Sequence, residues 1–200
     1  LVALFFGVWH AEGQSDTVMD TPNLPIPDNN PGGTTTTINV TDNFVMTDVD
    51  IHILANHTWV GDLIIEITSP EGTIVRIVDR PGYTGSGFGC SNNGPDITLD
   101  DDAGSPVETA CTGDTNTIMT GTYSPNNPLS AFNGESSLGL WTLFISDNAG
   151  GDTGVLQTWG ITYSYGGGGG TSCDVSNPTN PVGVDNGYNI APGSGFGVAT

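Results

Sequence analysis

The middle of the chain alternates apolar and polar residues, which is the pattern of half-buried β-strands. Inward-type apolar residues recur at every second position in four segments, at residues 49–53, 63–67, 141–145 and 159–163, and residues 74–78 form a further apolar run. Turn residues such as the Ser-Pro-Glu-Gly of 69–72 interrupt it. No window sustains a helical period. The pattern predicts an all-β protein, an antiparallel jelly-roll β-sandwich with extended N- and C-terminal arms.

Composition divides the chain into three parts. Residues 1–37 hold an apolar run followed by a Pro-rich lead-in, and residues 38–165 hold nearly all of the alternating segments. Residues 166–200 open with five glycines and continue as a tail rich in Asn, Pro and Gly. Because a glycine run forms a flexible linker, we predict that the β-sandwich occupies residues 38–165.

The charge balance excludes several classes of function. The chain has 22 acidic residues, two arginines and no lysine, for a formal net charge of −20. Such a chain repels nucleic-acid phosphates and anionic lipids, so we expect no nucleic-acid partner. The apolar run of residues 1–9 is too short to span a membrane as a helix. No lysine is present to serve a phosphate-binding loop or a Schiff base.

The cysteines indicate an extracellular, secreted or cell-surface location. Among the three, Cys90 and Cys111 are predicted to form a disulfide that closes the Gly- and Asn-rich segment between them. Cys173 is then left over, either as a free thiol or as a bridge to another chain.

The acidic side chains also suggest calcium as a cofactor, since Ca²⁺ takes carboxylate and carbonyl oxygens as ligands. The candidate ligands are the acidic residues of one short segment and of one later turn: Asp96, Asp100, Asp101, Asp102 and Glu108, and then Asp147 and Asp152. Three adjacent aspartates repel one another unless a cation neutralises them. The alternatives are a solvated acidic loop and an Asx-type turn without metal.

Several ordered motifs resemble a known family. They are Asp-Val-Asp-Ile-His-Ile at 48–53, His-Thr-Trp-Val-Gly-Asp-Leu-Ile-Ile at 57–65, and Ser-Asp-Asn-Ala-Gly-Gly-Asp-Thr-Gly at 146–154. They resemble the P domain (Homo B domain) of kexin-like, subtilisin-type proprotein convertases and of bacterial secreted proteases. The resemblance implies a jelly roll that is not itself a catalyst and that stabilises a neighbouring protease domain. It also favours a structural turn role for His57 over a ligand role.

A search for catalytic motifs agrees with a protein that is not an enzyme. The sequence lacks the Gly-x-Ser-x-Gly elbow of α/β-hydrolases and the His-Glu-x-x-His motif of zinc proteases.

The N-terminal run suggests an additional role in assembly. Its apolar residues are Leu1, Val2, Leu4, Phe5, Phe6, Val8 and Trp9. Such a strand can add to the sheet edge of a neighbouring subunit, and repeated head-to-tail addition gives a filament. The first hypothesis is therefore a secreted structural subunit that forms a homopolymer, either a filament or a surface layer. The alternatives are the accessory P domain of a secreted protease, and an adhesion or carbohydrate-binding module that uses Trp59, Trp141 and Tyr83 as aromatic platforms.

Overall fold

The computed structural model describes residues 13–166, which fold as two stacked β-sheets. Ten strands make up the sheets: β1 (Gln14–Asp20), β2 (Leu24–Ile26), β3 (Asn30–Val40), β4 (Met46–His57), β5 (Leu63–Thr68), β6 (Ile74–Asp79), β7 (Asn93–Leu99), β8 (Ile118–Tyr123), β9 (Gly139–Asp147) and β10 (Gly154–Tyr165). Three short 3-10 helices, Val60–Asp62, Val107–Thr109 and Leu129–Phe132, lie in the connections. No helix in this range is long and apolar enough to cross a membrane.

The strand order confirms the predicted β-sandwich, but one strand pair is parallel and not antiparallel as predicted. One sheet runs β1-β10-β4-β7-β8, with β2 also paired to β10, and the other runs β3-β9-β5-β6. The named strand pairs are antiparallel except β7 and β8, which are parallel. The connection between those two strands, residues 100–117, is long enough for the crossover that a parallel pair requires. The jelly-roll topology itself stays a prediction.

The sandwich begins earlier than the predicted boundary at Ile38. Strands β1 and β2 and most of β3 precede that residue, and β1 pairs with β10 from Gln14 opposite Tyr165 to Asp20 opposite Trp159. Most β1 side chains are exposed. An edge strand held mainly by backbone hydrogen bonds carries no strong apolar alternation, so composition did not reveal it. The predicted N-terminal interface strand, the C-terminal arm and Cys173 lie outside the described residues.

The core lies between the sheets and contains the predicted inward positions. The alternating residues of β4 and β5 are fully buried, as predicted. Phe132 packs edge-on against Trp141, with ring centroids 5.1 Å apart. The Trp141 indole N–H donates to the Ser137 carbonyl at 3.0 Å. The hydrogen bond offsets the cost of burying the polar edge of this ring.

Candidate functional site at one end of the sandwich

A buried histidine and a buried aspartate join the two sheets at one end of the sandwich. His57 ends β4 in one sheet and Asp147 ends β9 in the other, and neither side chain is exposed to solvent. The His57 ring donates from Nε2 to Asp147 Oδ2 at 3.2 Å. Its Nδ1 accepts the Trp59 backbone N–H at 3.1 Å. Nδ1 also lies 3.0 Å from the Trp59 carbonyl oxygen, so each ring nitrogen has a hydrogen-bond partner.

A second buried carboxylate, that of Asp62, lies beside this pair. Asp62 is 2% exposed and belongs to the 3-10 helix Val60–Asp62. Burial raises its pKa to about 6, with a further contribution from the Asp147 charge and an opposing one from Arg80. The Arg80 guanidinium reaches Asp62 Oδ1 only at 3.5 Å, because Nε donates to the Gly61 carbonyl at 3.1 Å. Negative charge at this end of the sandwich is therefore only partly compensated.

A cavity of about 200 Å³ opens next to Asp62. We call it the end cavity, and its lining residues are Trp59, Asp62, Phe88, Ala149, Gly150 and Asp152. The Trp59 indole N–H donates to the Phe88 carbonyl at 2.6 Å, which fixes the orientation of the indole. The Thr58 hydroxyl donates to Asp152 Oδ1. Hydrogen bonds thus fix the Trp59 indole and the Asp152 carboxylate, and the exposed Phe88 and the buried Asp62 complete the lining that carries aromatic and acidic side chains.

The predicted disulfide is present and anchors the end of the segment that carries Phe88, one of the residues that line the end cavity. Cys90 and Cys111 are bonded, with their Cα atoms 5.3 Å apart. The Cys90 carbonyl accepts the Gly61 N–H at 2.8 Å. A Cβ on Gly61 would lie 2.3 Å from the Cys90 nitrogen, so this contact requires glycine. The disulfide loop and the turn that carries Asp62 are therefore packed backbone to backbone.

The acidic segment after β7 makes local structural contacts. Asp100 Oδ1 accepts the Asp102 N–H at 2.7 Å, which is an Asx turn. The Asp101 carboxylate accepts the backbone N–H groups of Leu129 and Ser130, each at 2.8 Å. These bonds join the segment to the 3-10 helix Leu129–Phe132 and supply partners for two of its backbone donors.

The other predicted metal ligands lie apart from this segment. Asp96 is 3.9 Å from the Nε2 atom of His52. The Glu108 carboxylate accepts the Asp79 N–H at 2.8 Å. No group of three or more His, Cys, Asp or Glu side chains within residues 13–166 is arranged to hold a metal ion. The seven predicted ligands do not form a single site in this arrangement, and calcium binding stays a prediction.

A melting experiment tests that prediction directly. If calcium binds the folded chain, we expect a chelator to lower the melting temperature by several degrees and added Ca²⁺ to restore it, because a ligand of the native state adds stability by mass action. The measurement is differential scanning calorimetry with EDTA and then with excess Ca²⁺, with Mg²⁺ as the control cation. An identical melt in EDTA and in Ca²⁺ would exclude a stabilising site.

The partly buried Asp50 carboxylate lies near the acidic segment and feels its charge. Burial, followed by the charges of Asp100 and Asp48, raises its pKa to about 6. Its Oδ1 atom is buried and has no hydrogen-bond partner among residues 13–166. The folded state therefore holds this proton at a pH where the unfolded chain, with a pKa near 3.8, has released it.

Because Asp50 binds its proton more tightly in the folded state, the free energy of unfolding is expected to fall as the pH rises from about 4 to 6. We expect Asp50→Asn to gain stability relative to the unmodified protein across that interval, since the amide carries no charge to bury. The measurement is the free energy of unfolding in urea at several pH values. Asp42→Asn removes an exposed charge and is the matched control. A constant difference between Asp50→Asn and the unmodified protein at all pH values would contradict the assignment.

Sequence reasoning named Asp147 and Asp152 as candidate metal ligands of one turn, and it missed Asp62 and the partner of Asp147. His57 and Asp147 are 90 residues apart, so spacing could not join them. For Asp62, the sequence did contain a signal. Gly61 and Asp62 interrupt an otherwise apolar run, with a residue that lacks a side chain followed by a carboxylate.

The motif segments and the sandwich are also shared with known proteins. The family model described as proprotein convertase P-domain matches residues 46–163. The chain belongs to this family. The match runs from the start of β4 into β10 and includes the His57–Asp147 pair, Asp62 and the disulfide loop. It confirms the resemblance inferred from the sequence motifs.

The relatives of this P domain are larger proteins, and the chain matches only a part of each. The chain is 26% identical over 117 residues to leupeptin-inactivating enzyme 1 of Streptomyces exfoliatus, a match that covers 58% of the chain and 18% of the relative. The chain therefore spans less than a fifth of that protein's length. Among solved structures it is similar to the serine protease of Aeromonas sobria in complex with the chaperone ORF2, at 18% identity and a TM-score of 0.49, covering 78% of the chain and 27% of the protease.

Proposed function

We propose that this P domain is a non-catalytic accessory module that stabilises a protease domain in a secreted or cell-surface protein. The observation that carries the proposal is the family match over residues 46–163. The chain also matches 18% of a relative whose name is that of an enzyme, leupeptin-inactivating enzyme 1. That relative therefore contains a segment similar to this chain, and most of its length lies outside that segment.

The described residues support a structural role for the polar pair. Each ring nitrogen of His57 has a hydrogen-bond partner, and Asp147 accepts from both the ring and the Ala149 N–H. The pair is buried, so substrate has no access to it. The disulfide and the strongly acidic composition suit an oxidising exterior.

The other two hypotheses receive less support. The filament hypothesis depends on residues 1–9, which lie outside the described residues, and the family match favours the accessory role. The carbohydrate-platform hypothesis fails for Trp141, because that ring is fully buried in the core. Trp59 and Tyr83 are partly exposed, but Tyr83 packs against the Arg80 guanidinium at 4.0 Å.

The test uses the complete coding sequence from which the chain comes. We expect it to encode a protease domain, and we expect destabilising substitutions in the P domain to shorten the protease's half-life at elevated temperature. His57→Ala is the destabilising variant and His52→Ala, at a partly exposed position, is its control. A coding sequence without a protease domain, or a half-life that His57→Ala leaves unchanged, would refute the accessory role. Electron microscopy of the purified chain would reveal regular filaments if the first hypothesis were right.

A further inference from the structure

The end cavity combines two kinds of group that bind cations. Phe88 is 73% exposed, an unusual state for this side chain, and its backbone carbonyl holds the Trp59 indole in place. Aromatic faces attract cations through their quadrupole. Asp62 and Asp152 add carboxylates to the same wall. No basic side chain is among the six residues that line the cavity.

Both carboxylates retain capacity to accept hydrogen bonds. In the described part of the chain, Asp62 accepts only the 3.5 Å contact from Arg80, and that contact involves Oδ1. Asp152 accepts the Thr58 hydroxyl at Oδ1. An ionised carboxylate can accept about four hydrogen bonds through its two oxygens. Of the two, Asp62 is buried, with only 2% of its surface exposed to solvent. A buried carboxylate with one long contact is the feature that a cationic ligand would stabilise.

We propose that the end cavity binds an arginine side chain presented by a partner protein. A guanidinium is planar, stacks on aromatic faces and donates several N–H groups in a fork that fits carboxylates. It therefore uses both the rings of Trp59 and Phe88 and the oxygens of Asp62 and Asp152. A hard metal ion takes oxygen ligands and would use the rings less than a planar guanidinium does, and a neutral group would leave the carboxylates uncompensated.

The occupant does not come from these 200 residues or from a second copy of them. The sequence contains no lysine and only Arg76 and Arg80 as arginines. Arg76 donates to Glu66 at 2.9 Å and to Asp79 at 3.3 Å, and Arg80 is held by Gly61 and Asp62. The net charge of −20 attracts a basic partner over a long range. The inference does not require that the partner be a protease domain, so it is tested separately from the proposed function.

The experiment is a titration of the 200-residue protein with N-acetyl-arginine amide, followed by the Trp59 indole N–H in a ¹⁵N–¹H NMR spectrum. Trp59→Phe identifies the signal. We expect a saturable shift with arginine. The matched probe is N-acetyl-citrulline amide, a neutral ligand of the same shape, and its affinity is expected to be about tenfold lower. No saturable shift, or equal affinity for both probes, would overturn the proposal. A saturable response of the same signal to Ca²⁺ at lower concentration than to arginine would overturn it as well.

Two variants test the two walls of the cavity. Asp152→Asn removes a carboxylate and Phe88→Ala removes a ring, and each is expected to weaken arginine binding about threefold or more. Asp42→Asn and Ile74→Ala remove an exposed charge and an exposed apolar side chain elsewhere, and are expected to leave the affinity unchanged. Unchanged affinity in both cavity variants, with their spectra otherwise native, would place the arginine site elsewhere and refute the assignment.

Discussion

Substitution of His57 by alanine is expected to lower the free energy of unfolding by about 3 to 5 kcal/mol, the range for breaking a buried polar pair. The loss arises because Asp147 would remain buried without the ring N–H that now donates to it at 3.2 Å. The bond joins strands of different sheets, so its loss also removes a polar contact between them. The measurement is urea unfolding followed by tryptophan fluorescence.

Two comparisons separate this pair from a general effect of removing histidine. His52→Ala removes a ring with a partly exposed side chain, 3.9 Å from Asp96, and is expected to cost less than about 0.5 kcal/mol. The double variant His57→Ala/Asp147→Ala is expected to cost less than the sum of the two single variants, because it leaves no unpaired carboxylate. Strict additivity of the two single effects would show that the hydrogen bond does not couple them.

Removal of the Cys90–Cys111 disulfide is expected to cost about 3 kcal/mol, since the bond closes a loop of roughly twenty residues and its two cysteines are separated by 21 positions. Cys90→Ser/Cys111→Ser is the appropriate variant, because both thiols are removed together. The loss should appear as a lower urea midpoint with a larger m-value, reflecting a more expanded unfolded chain.

Cys173→Ser is the matched control for this variant and is expected to leave the midpoint unchanged. A double-serine protein with the stability of the unmodified one would show that the hydrogen bonds of the loop are sufficient without the covalent bond. Asn92 is the centre of those bonds: its side chain accepts the N–H groups of Thr112 and Gly113 and donates to the Thr117 carbonyl.

The sequence was sufficient for the strands that have one face in the core. Val49, Ile51 and Ile53 alternate because one face of β4 is buried, and the same physical cause produced the other alternating segments. The cysteine pairing was also predicted correctly, from the Gly-, Asn- and Asp-rich segment that Cys90 and Cys111 enclose. Strand β1 was not predictable, because its side chains are mostly exposed and its partner lies at the other end of the folded region.

The polar site was less predictable than the strands. His57 and Asp147 are distant in sequence, and only the packing of the two sheets brings them into contact. Beside Asp62, Gly61 packs against the backbone of Phe88, Gly89 and Cys90, a contact that no local pattern encodes. Acidic residues that look alike in the sequence thus have different roles. Asp101 connects the acidic segment after β7 to the 3-10 helix Leu129–Phe132, whereas Asp62 lines the end cavity.

The pairing of β1 with β10 has a consequence for how such a domain can be combined with others. Gln14 and Tyr165 are opposite each other in the register, so the first and last strand residues are about 5 Å apart at their Cα atoms. A host polypeptide could therefore enter and leave the sandwich at nearly the same point. If the domain were inserted into a host protein, the host residues on either side of it would stay close together. The short distance between Gln14 and Tyr165 also favours circular permutation. The domain is in this sense portable: it can be placed within a surface loop as readily as at the end of a chain.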